Sequence, residues 1–155
     1  ALDPARPVLA EAESSKVGDL ALPPALWAAM RAAPRIEVTA APEARARYLA
    51  QTYANLAGDR DRLEPLLRQL TALRGHAVVE AWIGLLRDGK AERLAAGLMA
   101  EHYDPAYRRS RAKHPVASVL SVDAGPLGEA DLDRAAERIA RAVEGGALLA
   151  PPPPS

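Results

Sequence analysis

The 155-residue chain contains no cysteine and no phenylalanine, and aromatic residues make up only 4% of it. The lack of cysteine excludes disulfide bonds, zinc ribbons, iron–sulfur ligation and a thiol nucleophile within this chain, and it is typical of a reducing compartment. No apolar run approaches the roughly 20 residues that a membrane span needs, and no signal-peptide pattern is present. We therefore expect a cytoplasmic protein that does not enter a membrane.

The chain also has no excess of positive or negative charge, because 20 basic residues balance 20 acidic residues. Any nucleic-acid site must then be a local patch and not a field of the whole protein. The hydrophobic content of 49% is enough for a single compact domain. With so few aromatic residues, we expect its core to consist of Leu, Val, Ile and Ala, which favours helices.

The hydrophobic periodicity predicts three short strands among a larger number of helices. The strands are predicted at residues 7–12, 35–40 and 116–122. Proline, acidic and glycine signals predict helices that begin at Pro23, Pro42 and Asp61, and further helices around Val78–Leu86, Leu94–Met99 and Leu132–Val143. We expect Tyr48 and Tyr53 on the inner face of the second helix, and Trp27 and Trp82 in the core.

Strands that alternate with helices predict an α/β fold with a parallel sheet of about three strands, in which helices dominate. Residues 1–150 would form the domain, residues 61–112 an inserted helical block, and residues 151–155 a disordered Pro-rich tail. So small a parallel sheet leaves its edges exposed. Because the chain also lacks an initiator methionine, we expect it to be a piece of a longer protein with further strands upstream.

A first candidate site follows the first predicted strand and comprises Glu11, Glu13, Ser14 and Lys16. Ligands in open α/β sheets bind at the carboxyl ends of the strands, where a carboxylate could hold Mg²⁺ or orient a water. The alternative is a polar turn without a ligand.

A second candidate site is the basic segment at residues 102–114. It contains the candidate contacts His102, Tyr103, Asp104, Tyr107, Arg108, Arg109, Ser110, Arg111 and Lys113, and it ends at His114. The four Arg and Lys residues could neutralise about four phosphates, and the tyrosine rings offer surfaces for base stacking. Asp104-Pro105 predicts a helix break, which would place the segment at a corner. The alternative is a helix start capped by Asp104, with the arginines in solvent.

Arg45 and Arg47 could reach an anion at the strand ends, but we favour solvated positions on a helix face for both. The chain has no GxxxxGK[ST], GxGxxG, HExxH or GxSxG motif. It therefore has none of these catalytic or metal-binding motifs, and we assign no catalytic residue to it.

Several strings together resemble one known family. They are RPVLAEAESSKVG at residues 6–18, PEAR at residues 42–45, Gly75-His76 with Val79, Glu80 and Trp82, and HYDPAYRRS at residues 102–110. Over residues 5–143 the chain resembles the carboxyl-terminal half of the tRNA 2-selenouridine synthase family. One departure is Ser15, where the family usually has arginine.

In that family a rhodanese domain with a catalytic cysteine precedes a P-loop domain. The enzyme converts wobble 2-thiouridine of tRNA to 2-selenouridine through a geranylated intermediate, using geranyl diphosphate and selenophosphate. The resemblance implies that the first strand is Walker-B-like in a P-loop kinase-like sheet, and that this chain contacts tRNA. Without the rhodanese and P-loop segments, we expect it to be inactive alone. The alternatives are a fragment of another P-loop kinase-like phosphotransferase and a non-catalytic helical interaction module.

Overall fold

The computed structural model describes residues 7–11, 14–54, 59–113, 116 and 118–145. The strands are β1 (Lys16–Val17), β2 (Leu20–Ala21), β3 (Arg35–Thr39) and β4 (Ser118–Asp123). The helices are α1 (Pro24–Ala32), α2 (Pro42–Thr52), α3 (Arg60–Gln69), α4 (Thr71–Arg74), α5 (His76–Arg87), α6 (Ala91–Leu98), α7 (Asp104–Lys113) and α8 (Glu129–Glu144). A π-helical turn, Met99–Tyr103, joins α6 to α7.

The fold is a helix-dominated α/β arrangement with a small parallel sheet. Strands β3 and β4 pair in parallel, from Arg35 opposite Ser118 to Thr39 opposite Asp123. Helices α2 to α7 lie between these strands in the chain, so the helical block is inserted between two neighbours in the sheet. The second and third predicted strands are confirmed to within two residues at each end.

The predicted first strand is wrong over residues 7–11, which form no regular secondary structure. Val8 and Leu9 are 60% and 62% exposed, so no other element covers this apolar run. A strand is stable only when its backbone groups are paired, and among the described residues β3 has only β4 as a partner. A short antiparallel ribbon of β1 and β2 follows instead, around a turn at Gly18.

Two hydrophobic clusters support the two parts of the fold. The helical cluster consists of Leu67, Val79, Trp82, Ile83, Leu86 and Leu94 from α3, α5 and α6. The sheet cluster contains Val122, Ala124 and Ala135, where α8 covers β4. Trp82 therefore lies in the core as predicted, whereas Trp27 on α1 is only half-buried.

The second helix packs differently from the prediction. Helix α2 lies against α6 and buries Ala44 and Ala46, while Tyr48 and Tyr53 are exposed. Small side chains such as alanine allow helices to pack closely, and the larger tyrosine rings of α2 lie at the surface.

Helix ends follow the local signals with one correction. Gly75 and Gly89 have φ of 84° and 70°, and they end α4 and α5 where the sequence predicts breaks. Such positive φ angles favour glycine, which has no Cβ to clash with the backbone. The cap of α3 is Asp59 and not the predicted Asp61, because Asp59 Oδ1 accepts the Arg62 backbone N–H at 3.1 Å. No helix within the described ranges is long and apolar enough to cross a membrane.

Candidate nucleic-acid interface

The basic segment forms an exposed surface on α7. Tyr103 and Tyr107 lie one helical turn apart and are 59% and 56% exposed. Arg108, Arg109 and Ser110 follow them and are also exposed. We call these five residues the α7 surface. Neither Arg108 nor Arg109 forms an ion pair with a residue that the structure describes. Both guanidinium groups are thus accessible to an anion from solvent.

The α7 surface is part of a continuous helical run and not of a corner, which corrects the prediction. In the π-helical turn, the backbone N–H of Asp104 donates to the carbonyl of Met99, five residues earlier. Pro105 has no N–H and cannot continue the ordinary hydrogen-bond ladder. The wider turn accommodates this gap, so the helix continues through Asp104-Pro105 into α7.

Asp104 anchors α7 to α2 through Arg45. Arg45 donates from Nη1 to Asp104 Oδ2 at 3.1 Å and from Nη2 to Oδ1 at 2.8 Å. These hydrogen bonds lower the pKa of the Asp104 carboxyl. A two-bond contact of this kind fixes both direction and distance. Arg45 is therefore neither a solvated residue nor an anion contact of the sheet, and the strings PEAR and HYDPAYRRS meet at this pair.

Arg111 also forms an ion pair, with Glu37 on β3. Its Nη1 donates to Glu37 Oε1, and this hydrogen bond raises the pKa of the guanidinium. The Arg111 guanidinium carbon also lies 5.9 Å from the centroid of the Tyr107 ring. Arg111 is one of the four predicted phosphate contacts, but its guanidinium is already paired with a carboxylate. The side chain of Lys113, like His114, lies outside the described residues.

His102 is held in its neutral form by Arg74 at the end of α4. Arg74 Nε donates to His102 Nδ1 at 3.1 Å, and Arg74 Nη2 donates to the His102 carbonyl at 3.4 Å. Burial lowers the pKa of the imidazole, and the charges of Arg74 and Arg109 lower it further. Since Nδ1 accepts, the ring proton sits on Nε2. His102 thus joins α4 to the π-helical turn and is not exposed for a phosphate.

This arrangement predicts a stability that depends on the charge of His102. The unfolded chain binds a proton to this ring below about pH 6.5, whereas the folded chain, with its lowered pKa, binds one only at a lower pH. The free energy of unfolding should therefore fall as the pH decreases from 6.5 towards the folded pKa, and then level off. We expect His102→Gln to lose this part of the pH dependence in urea unfolding between pH 7.5 and 5. Equal pH dependence in the two proteins would contradict the assignment.

The first candidate site is not assembled as the sequence predicts. Glu11 is exposed and follows no strand, and Glu13 lies outside the described residues. Ser14 Oγ accepts the Lys16 backbone N–H at 3.0 Å, and Lys16 belongs to the β1–β2 ribbon. The described part of this segment is a polar turn. Within the described part of the chain there is also no group of three His, Asp or Glu that could hold a metal.

The carboxyl end of the observed sheet presents other residues. The Ala124 backbone N–H donates to the Thr39 carbonyl at 2.8 Å, and Asp123 Oδ1 accepts the Gly125 N–H at 2.9 Å. Sequence reasoning missed Asp123, although its place directly after a β-branched run is the signal that could have found it. It also missed Glu37 and Arg74, for which no local pattern indicates a partner.

Comparisons with known proteins give no match: no family model, no curated protein and no solved structure is similar to this chain. Its function must be inferred from its own residues and their geometry.

Proposed function

We propose that this chain is the tRNA-contacting part of a transferase that converts wobble 2-thiouridine to 2-selenouridine, and that α7 supplies the contacts. The α7 surface carries the proposal, because it combines two exposed tyrosines with two arginines that have no carboxylate partner among the described residues. Arginine binds phosphate oxygens and tyrosine stacks on unpaired bases, and RNA loops offer both groups together. Because the formal net charge is zero, electrostatic attraction of RNA requires a local patch of this kind.

The fold supports the same proposal at a coarser level. A parallel strand pair with a long helical insertion is compatible with part of a P-loop kinase-like sheet. In this proposal the strands next to β3 and β4, the phosphate loop and the cysteine-bearing domain belong to other segments of a longer protein. Those segments would handle geranyl diphosphate and selenophosphate, so this chain alone should convert no thiolated tRNA.

The salt dependence of tRNA binding tests the proposal. Each phosphate neutralised in single-stranded RNA contributes about 0.7 to the slope of log affinity against log salt. The two arginines without a described carboxylate partner, Arg108 and Arg109, should contribute a slope of about −1.4. We expect Arg108→Ala with Arg109→Ala to weaken binding of all tRNAs and to remove this contribution, measured by fluorescence anisotropy between 50 and 200 mM salt.

A second double variant controls for net charge. Arg93 on α6 and Arg138 on α8 are exposed, and their replacement by alanine removes the same charge from other surfaces. This control should bind tRNA like the parent and keep its slope. The proposal fails if the α7 variant binds like the parent at low salt, or if both double variants weaken binding equally.

A helical interaction module is the second candidate, and one observation favours it. Leu66 on α3 and Leu73 on α4 are large apolar side chains that are exposed on two successive helices. Exposed leucines can contact a protein partner when they form one apolar patch. Loss of protein association in Leu66→Ser with Leu73→Ser, together with no affinity for tRNA in the parent chain, would favour this function over the first.

A further inference from the structure

Arg111 lies between a carboxylate on the sheet and an aromatic ring on its own helix. Its guanidinium is paired with Glu37 of β3 and lies 5.9 Å from the centroid of the Tyr107 ring. Arg111 and Glu37 are both partly buried, whereas Tyr107 is mostly exposed. One part of the ring thus faces a fixed cation and the rest faces solvent.

The three groups have different freedom to move. Glu37 is held by the parallel pairing of β3 with β4, and its carboxylate restricts the guanidinium of Arg111. A planar guanidinium near a ring is attracted by the negative face of the ring, which restricts the ring in turn. Tyr103 is placed differently, since its contact is an edge-on approach to His102 with ring centroids 5.1 Å apart.

We propose that Glu37 and Arg111 are positioning residues, which hold the Tyr107 ring ready to stack on an unpaired RNA base. This inference rests on the proposed function of the α7 surface. A ring already held in place loses less conformational freedom when a base stacks on it, so binding is stronger. Glu37 neutralises the charge of Arg111, so Arg111 makes no phosphate contact of its own. In this proposal it raises RNA affinity only by positioning Tyr107.

A double-mutant cycle on tRNA binding tests this coupling. We expect Tyr107→Ala to weaken binding about 5- to 150-fold, as loss of one stacked base does, with little change in the salt slope. Arg111→Gln should weaken binding several-fold and also leave the slope unchanged. In the Tyr107→Ala background, Arg111→Gln should have no further effect, because the ring through which it acts is absent.

Two further variants separate positioning from a simple ion pair. Arg111→Lys keeps the charge and can still pair with Glu37, but it lacks the planar group, so it should bind RNA like Arg111→Gln. Glu37→Gln should release the guanidinium for phosphate and steepen the salt slope by about 0.7. The positioning of the ring can also be tested without RNA. In the free protein, the NMR chemical shifts of the Tyr107 ring protons should change in both Arg111 variants.

The outcomes distinguish this inference from the proposed function. If the Arg108 and Arg109 variant binds like the parent, the proposed function fails. If that variant behaves as expected but Arg111→Gln lowers the slope by about 0.7 and adds fully to Tyr107→Ala, Arg111 is a phosphate contact and the positioning role is overturned. Full binding by Arg111→Lys, with unchanged Tyr107 ring shifts, would also overturn it.

Discussion

Trp82→Ala should lower the free energy of unfolding by about 3–5 kcal/mol, the usual cost of emptying a large aromatic site in a core. Trp82 is only 2% exposed and belongs to the cluster that joins α3, α5 and α6. The chain has no phenylalanine, and its tyrosines at 48, 53, 103 and 107 are exposed, so no other described aromatic residue supports this cluster. A loss of this size is a large part of the roughly 5–15 kcal/mol that stabilises a typical domain.

Trp27→Ala is the matched control for this experiment. Trp27 lies on α1, which buries no residue completely, and its own side chain is half-buried. Urea unfolding of both variants, followed by circular dichroism, should show a clearly smaller loss for Trp27→Ala. Equal losses would mean that the helical cluster does not depend on Trp82 as the structure indicates.

Gly97→Ala should lower the free energy of unfolding by about 1–2 kcal/mol, although alanine is the better helix former. A Cβ at this position would lie 2.9 Å from Trp82 Nε1 and 3.3 Å from Trp82 Cδ1. Overpacking costs about 1–3 kcal/mol, which exceeds the helix-propensity gain of about 0.5–1 kcal/mol. The buried indole ring cannot move aside without disturbing its neighbours.

Gly84 on α5 provides the control, because a Cβ there would meet nothing within 4 Å. Gly84→Ala should therefore stabilise the protein by about 0.5–1 kcal/mol. In the Trp82→Ala background the space beside Gly97 is free, so Gly97→Ala should change sign and become stabilising. If Gly97→Ala destabilises that background as well, close contact with Trp82 is not the cause.

Both positions matter for the proposed interface. Helix α6, which packs closely against Trp82 at Gly97, continues through the π-helical turn into α7. Arg45 holds Asp104, the first residue of α7, and Glu37 holds Arg111 near the last turn of the same helix. The α7 surface is thus presented from a packed core and two ion pairs.

Helix positions could be predicted because their signals are local. Gly75 and Gly89 end helices through their own φ angles, and Pro42 starts α2 within its first turn. The residue types of the candidate interface were also available, since Tyr107, Arg108 and Arg109 are adjacent in the chain. The prediction of a strand is wrong over residues 7–11 because an apolar run becomes a strand only where another strand pairs with it.

The ion pairs, in contrast to the helix ends, could not be predicted from local sequence. Arg45 and Asp104 are 59 residues apart, and Arg111 and Glu37 are 74 residues apart. No periodicity or motif connects such pairs, because they meet only when β3 and α2 pack beside α7. Composition and spacing were therefore sufficient to find a basic, tyrosine-bearing segment, although they predicted a corner where the structure has a continuous helical run. Which of its cations are open to phosphate and which are occupied by carboxylates depends on contacts between distant segments, and those form only in the folded chain.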